Sequence, residues 1–280
     1  MIPLSEKLLY TTTRLAGIKA NNQSSIGTGF VFNHEKRFFL ITNKHVVDGV
    51  IEGEFTLHKS TIVNGEKKPD LGKNINIKFN QSNFIGHPDP DVDVTVMNIS
   101  KIYNNLVASG DEPYILTITE KNIPKVEDLE KFIKSLEEIV FVGYPNGIWD
   151  SINSIPLMRK GITATPYDIN FLGKPIFLID ASVFPGSSGS PVFIYYSGSY
   201  SDKEGKLYAG DRIYFIGIVA KVYQRQEQGE IVLKDIPTST LPVPITNQMI
   251  DLGIVFKAST IIESINNYVF VVNQQNQTAG

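Results

Sequence analysis

Three short runs in this chain carry side chains that could do chemistry together. The first is Phe184-Pro185-Gly186-Ser187-Ser188-Gly189-Ser190-Pro191. A serine hydroxyl is a weak nucleophile at its own pKa. It needs a base within reach and a site for the negative oxygen of a tetrahedral intermediate. A Gly-flanked turn can supply that site, because backbone N–H groups converge with no Cβ in the way. The natural assignment makes Ser188 the nucleophile and the Gly186 and Ser188 N–H groups the oxyanion donors. Pro191 then ends the turn and starts a strand. Alone, the run reads equally as a Gly/Ser loop between two strands. The second run is Thr42-Asn43-Lys44-His45-Val46-Val47, with His45 directly after an apolar strand. The third is Pro88-Asp89-Pro90-Asp91-Val92-Asp93-Val94-Thr95-Val96, in which Asp93 is expected to open a strand. A carboxylate held there could orient an imidazole and stabilise its charged form.

These runs must be positioned by β structure, for short β-prone runs divided by Gly, Asn, Asp and Pro dominate the chain. Leu9–Leu15, Gly29–Phe32, Phe38–Thr42, Glu54–His58, Ile75–Phe79 and Asp93–Ile99 form a first set. Ile139–Gly143, Gly161–Ala164, Ile176–Ile179, Pro191–Tyr196, Ile213–Val222 and Ile231–Leu233 form a second. Phe32 and Phe38 flank the polar turn of a hairpin. Such spacing predicts an all-β sandwich or barrel. Two segments differ. Val126, Leu129, Ile133 and Leu136 recur at helical spacing and predict an amphipathic helix over 125–138. A second helix is expected over 258–268, followed by a frayed polar tail over 274–280. Ser197–Gly210 reads as a surface loop. The implied organisation is 1–118 with His45 and Asp93, a helical linker over 119–138, 139–256 with Ser188, and a C-terminal helix and tail over 257–280.

Composition bounds the partners. The chain has 280 residues, 42% hydrophobic and 20% charged, and a formal net charge of -3. This is ordinary for a globular protein, and no basic stripe points to nucleic acid. There is no cysteine, which removes thiol chemistry and favours a reducing compartment. Glu6 and Lys7 interrupt the N-terminal apolar stretch, so no secretory signal is expected. No window approaches the ~18 apolar residues of a membrane span. A cytoplasmic location is therefore expected. No cofactor is expected either, since Gly27-Thr28-Gly29 lacks the third glycine of a dinucleotide loop. No metal is expected, since there is no His-Glu-x-x-His and the remaining His and carboxylates are scattered.

In the order His45, Asp93, Ser188, the three runs resemble the trypsin-like serine peptidases, in particular their bacterial Deg-type and glutamyl-endopeptidase-like branches. Gly27-Thr28-Gly29-Phe30-Val31 resembles the start of their first barrel. Phe215-Ile216-Gly217-Ile218-Val219-Ala220 resembles the strand that pairs with substrate backbone. The resemblance covers roughly residues 9–233. It implies two packed six-stranded antiparallel β-barrels with the site between them, and hydrolysis of peptide bonds through an acyl-enzyme. His45 would be general base and then acid, and Asp93 would fix its tautomer. Asp93 fits better than Asp91 or Asp89, because the family's aspartate directly precedes an alternating apolar strand. Ser182 and Phe184 on one side, and Ala220 and Lys221 on the other, would line the specificity pocket. Asp180 is a candidate carboxylate for that pocket, and Lys221 a candidate partner for acidic substrate groups.

Two departures matter. Many family members carry an aspartate immediately before the nucleophile, which pairs with an N-terminus freed by cleavage. Ser187 stands there and has no charge to offer. Control is then expected from a regulatory protein partner, from the protein or peptide substrate, or from loop rearrangement. The histidine of glutamate-preferring relatives near Val219 is missing. Two alternatives stand beside a peptidase: a pseudoprotease that binds peptides without cutting, and an esterase using the same triad. The Gly-x-Ser-x-Gly elbow of the α/β-hydrolases is absent.

Overall fold

The computed structural model describes residues 3–228 and 245–278. Strand elements begin with β1 (Thr12–Lys19), β2 (Ser24–His34), β3 (Arg37–Thr42), β4 (Val50–Val63) and β5 (Glu66–Phe79). β6 (Ile85–Gly86), β7 (Thr95–Asn98), β8 (Pro113–Tyr114) and β9 (Ile118–Thr119) complete the first half. The second half has β10 (Glu138–Gly143), β11 (Leu157–Thr163), β12 (Ile176–Asp180) and β13 (Pro191–Tyr196). It continues with β14 (Ser199–Ser201), β15 (Leu207–Ala209), β16 (Arg212–Gln228) and β17 (Ile245–Lys257). Helices are α1 (Leu4–Leu8), α2 (Lys44–Val47), α3 (Ser100–Ala108), α4 (Val126–Lys131) and α5 (Ser259–Thr278).

The all-β expectation holds, and the two halves differ in closure. β10-β11-β12-β17-β16-β13 close into a six-stranded antiparallel barrel. The first half is a nine-stranded sheet along β5-β4-β1-β2-β3-β7-β6, with β8 on β4 and β9 on β2. It therefore has more strands than the six expected. Two hairpin turns explain its reach. Glu35 and Lys36 both take positive φ between β2 and β3, and Asn64 and Gly65 do so between β4 and β5. Positive φ at both central residues matches a two-residue turn to the twist of the strands. The Asn-Gly dipeptide is the sequence signal for a longer β4–β5 hairpin than the two short strands expected there.

Period-2 alternation sorts side chains between three cores. On β13, Val192 and Ile194 fill the barrel interior while Phe193 points to the junction between the halves. On β10, Ile139 and Phe141 fill the barrel, and Val140 and Val142 face the junction. On β3, Leu40 enters the first-half core, and Phe39 and Ile41 meet the junction. The two halves thus share a buried apolar seam, and the ends of its strands carry the candidate site.

Several local expectations change. The helix expected over 125–138 ends as α4 at Lys131, and Val126 and Leu136 are exposed. Glu137 stops it: its carboxylate accepts the Lys134 N–H at 2.6 Å and its own N–H donates to Thr163 Oγ1 at 2.9 Å. Strand pairing thereby overrides the apolar spacing. The tail expected to fray is helical through Thr278 in α5. The 197–210 loop contains the small β14–β15 hairpin. α3 was not anticipated. Its signal was Ile102 and Leu106 at i, i+4, both packed on the first-half core. The strand expected over Ile231–Leu233 lies outside the described residues.

Candidate active site

His45 sits on the one-turn helix α2, just beyond β3. Its backbone N–H donates to Asp93 Oδ1 at 3.1 Å, and its Nδ1 lies 2.5 Å from Asp93 Oδ2. The imidazole is 47% exposed and the carboxylate 10%, so Asp93 is shielded while the ring faces the cleft. With Nδ1 held by Asp93, Nε2 is the ring nitrogen left for a reacting group. Asp93 does not open a strand as expected. It lies in the loop before β7, whose first residue is Thr95. The fully buried Asn43 holds that loop, donating from Nδ2 to the Asp93 carbonyl at 2.6 Å. Asn43 lies inside the run singled out from the sequence, but no role was visible for it there.

Of the other carboxylates, Asp91 is exposed and pairs with Lys174 at 3.0 Å. That hydrogen bond holds its carboxyl below the usual carboxylate range. Asp89 offers its carbonyl to Lys44 Nζ at 2.8 Å. Burial pushes the Lys44 ammonium down from its ordinary value, against the pull of Asp93 and Asp89.

The nucleophile turn runs from Phe184 to Pro191. Gly186 and Gly189 have φ of +89° and +90°. A Cβ on Gly186 would sit 2.4 Å from the Tyr144 carbonyl oxygen, and one on Gly189 1.8 Å from the Thr28 carbonyl oxygen. Glycine is therefore required twice, for backbone angle and for close approach. Internal bonds shape the turn: Ser187 N–H to the Phe184 carbonyl at 2.9 Å and Ser190 N–H to the Ser187 carbonyl at 3.0 Å. Among the described residues, neither the Gly186 nor the Ser188 N–H donates to a protein acceptor. Ser187 is buried, and its hydroxyl has no partner among the described residues.

The two halves meet at this turn. Thr28 N–H donates to the Ser188 carbonyl at 2.8 Å, and Thr28 Oγ1 donates to the Gly186 carbonyl at 2.9 Å while accepting Tyr144 N–H at 3.2 Å. A Cβ on Gly27 would sit 2.6 Å from Val46 Cγ1 of α2 and 3.3 Å from the Ser188 carbonyl oxygen. Gly27 thus lets the histidine helix and the serine turn come together. Thr28 and Gly27 belong to the first-barrel run noted in the sequence, but their contacts with the serine turn could only be seen in three dimensions.

Ser188 Oγ donates to the Ala220 carbonyl at 3.2 Å rather than to His45. The structure therefore brings His45 and Asp93 into direct contact and leaves the serine hydroxyl on β16. A hollow of about 320 Å³ adjoins it, lined by Val183, Phe184, Pro185, Ser188, Ala220, Lys221 and Val222. Phe184, Ala220 and Lys221 lie where the sequence placed them, whereas Ser182 is not on that lining. Asp180 is exposed at the end of β12 and also absent from it. A larger hollow of about 640 Å³ contains His45 and Asp93, and Lys221 borders both. The Arg159 guanidinium lies over the Phe184 ring, 4.8 Å from its centroid. Trp149 packs edge-on to Tyr144 and under Arg14, tying the 145–149 segment to β1 rather than to either hollow. Among the described residues, no group of three or more His, Asp or Glu converges as a metal ligand set.

A closed antiparallel barrel against a second β sheet, with a histidine–aspartate pair and a glycine-flanked serine at their seam, defines a double-β peptidase architecture. The trypsin-like peptidase domain family matches residues 27–199, and the chain belongs to that family. No curated protein matches the chain. Among solved structures, it is similar to the HtrA-type protease AlgW with tripeptide, at 15% identity and a TM-score of 0.47. That match covers 93% of this chain and 60% of the other, so the chain spans well under the full length of that protein. A protease from M. tuberculosis in its active form matches at 16% identity and a TM-score of 0.46, covering 94% of this chain and 83% of the other. Tobacco etch virus protease complexed with product matches at 13% identity and a TM-score of 0.44, covering 80% and 72%.

Proposed function

We propose that this chain hydrolyses peptide bonds through a Ser188–His45–Asp93 triad and an acyl-enzyme, with residues 1–118 and 139–256 acting as one peptidase unit. The observation that carries the reading is the 2.5 Å contact between His45 Nδ1 and the shielded Asp93 carboxylate. It orients the imidazole with Nε2 toward the cleft and stabilises the imidazolium that forms. Ser188 Oγ leaves the Ala220 carbonyl by rotation about χ1 and gives its proton to His45 Nε2. The oxygen bonds to the scissile carbonyl carbon, and the negative oxygen is received by the Gly186 and Ser188 N–H groups. Collapse of the intermediate breaks the C–N bond, and the leaving amine takes the proton from His45. Water then hydrolyses the acyl-enzyme by the same steps in reverse.

The lining by Val183, Phe184, Ala220 and Val222 supports an apolar side chain just before the scissile bond. Among the described residues, no carboxylate lines that hollow. The substrate is a protein or peptide. With Ser187 in place of an aspartate, control falls to substrate, a regulatory partner or loop rearrangement.

A fluorophosphonate probe should label the native chain and not Ser188→Ala, and the substitution should lower kcat by roughly 10⁴-fold or more. Equal turnover of a peptide library by the two proteins would sink the assignment. The Ser188–Ala220 hydrogen bond favours one competing reading, a peptide-binding pseudoprotease. Its signature would be peptide binding at the cleft with no labelling and no cleavage.

A further inference from the structure

The loop that carries Asp93 is gripped from outside the site by the C-terminal helix. β6 ends at Gly86, and the chain returns to β7 through residues 87–94. Within that loop His87 is buried. Its Nδ1 accepts the Asp89 N–H at 3.0 Å, and its Nε2 lies 2.9 Å from Glu263 Oε2 on α5. A ring nitrogen that accepts carries no proton, so the bond pattern assigns the proton to Nε2, which donates to Glu263. One turn along α5, Asn267 Nδ2 donates to the Gly86 carbonyl at 2.9 Å. Glu263 and Asn267 stand at i, i+4 and so share a helix face. Beside that grip, Ile261 and Ile265 of α5 share a buried cluster with Val92 and Val94, the two neighbours of Asp93.

The loop also touches the histidine helix, through Lys44 Nζ on the Asp89 carbonyl at 2.8 Å. One rigid segment therefore links α5 to both members of the catalytic pair. We propose that Glu263 and Asn267 are positioning residues for the reaction, acting through His87 and Gly86 to hold Asp93 in register with His45. This rests on the assignment of Asp93 as the triad carboxylate. Neither residue lines the hollow that contains His45. A half-exposed Glu263 contributes little as an ion pair in its own right. Its effect is geometric: it fixes the ring that fixes the Asp89 N–H. Displacements of about 1 Å at a catalytic group can cost on the order of 100-fold in rate.

The test compares the full chain with Glu263→Ala, Glu263→Gln and the double variant Glu263→Ala/Asn267→Ala. kcat and KM are measured on one cleaved peptide, with Tm and the downfield proton resonance of the His45 Nδ1–Asp93 bond. The double variant should lose roughly 10- to 100-fold in kcat with KM within about threefold, and its downfield resonance should shift or broaden. Glu263→Gln keeps an acceptor for His87 Nε2 and should retain most of kcat. Wild-type kcat and an unmoved resonance in the double variant would overturn the proposal. So would a Glu263→Gln variant as impaired as Glu263→Ala. If the native chain takes no fluorophosphonate at Ser188, the triad reading itself fails. The resonance still reports independently on whether α5 positions the His45–Asp93 pair.

Discussion

The two ends of the candidate site are built in opposite ways. The His45–Asp93 end is assembled by side chains: a carboxylate bonded to both the backbone and the ring of one residue, with Asn43 and Lys44 securing the loop behind it. The Ser188 end is assembled by backbone. Two positive-φ glycines, the Thr28–Ser188 bond and the Gly186 and Ser188 N–H groups, which have no acceptor among the described residues, define it, and the serine hydroxyl rests on Ala220. The first end is fastened before any substrate arrives. In the second, the serine hydroxyl is bonded to Ala220 and not to His45. In the proposed triad the base would thus be held in advance by its carboxylate, and the serine hydroxyl would have to leave Ala220.

Four perturbations would break or sharpen this contrast. The largest effect is expected for Asp93→Asn, which removes the acceptor that sets the His45 tautomer. Activity toward a cleaved peptide should fall by about 10⁴-fold, with little change in Tm. A loss under tenfold would mean that Asp93 is not the orienting carboxylate. Gly189→Ala should follow, because a Cβ 1.8 Å from the Thr28 carbonyl oxygen cannot be accommodated at φ +90°. We expect about 3–5 kcal/mol of destabilisation by chemical denaturation and at least roughly 100-fold slower fluorophosphonate labelling. Unchanged labelling would show that the turn is softer than its backbone contacts imply.

Thr28→Val keeps the side-chain shape and removes the hydroxyl shared by Gly186 and Tyr144. Leaving those buried groups unpaired should cost about 1–3 kcal/mol, with the rate loss confined to kcat. A purely KM effect would place Thr28 in substrate binding instead. The smallest effect is one of pH. Burial pushes His58 below its ordinary pKa, against the bond from its ring to the Asn153 carbonyl at 2.9 Å. The unfolded chain therefore binds this proton more readily, with a pKa of about 6.5. The stabilisation is complete above that value and is lost as pH falls through the lower folded value. Tm should decline on acidification from neutrality, and His58→Gln should flatten that slope. An equal slope in both proteins would exclude His58 as its source.

Much of this was legible from residue order alone. Apolar alternation located β3, β10, β12 and β13 closely, because each has one face in the core of its own half and side chains of the other at the seam. The glycines around Ser188 announced a turn, and the structure shows Gly186 and Gly189 in it at positive φ. The helix expected over 125–138 is shorter, ending at Lys131, because spacing of apolar residues does not register Glu137 bonding sideways to Thr163. Ser182 and Asp180 were read as pocket residues from their nearness in sequence to Ser188. Strand β12 leaves Asp180 exposed at its end, and neither residue reaches the lining.

What the amino-acid sequence determined by itself was the set of candidate reacting groups and the class of fold. Nucleophile, imidazole and carboxylate are chemical types, and the period-2 pattern is a local property of the chain. What only the tertiary structure decided was which groups touch. Asp93 meets His45 because the 87–94 loop folds back under α5, Gly27 is open because Val46 and Ser188 converge on it, and Ser188 turns to Ala220. These contacts join residues distant in the chain, and their distances are set by burial of the shared apolar seam rather than by any local preference.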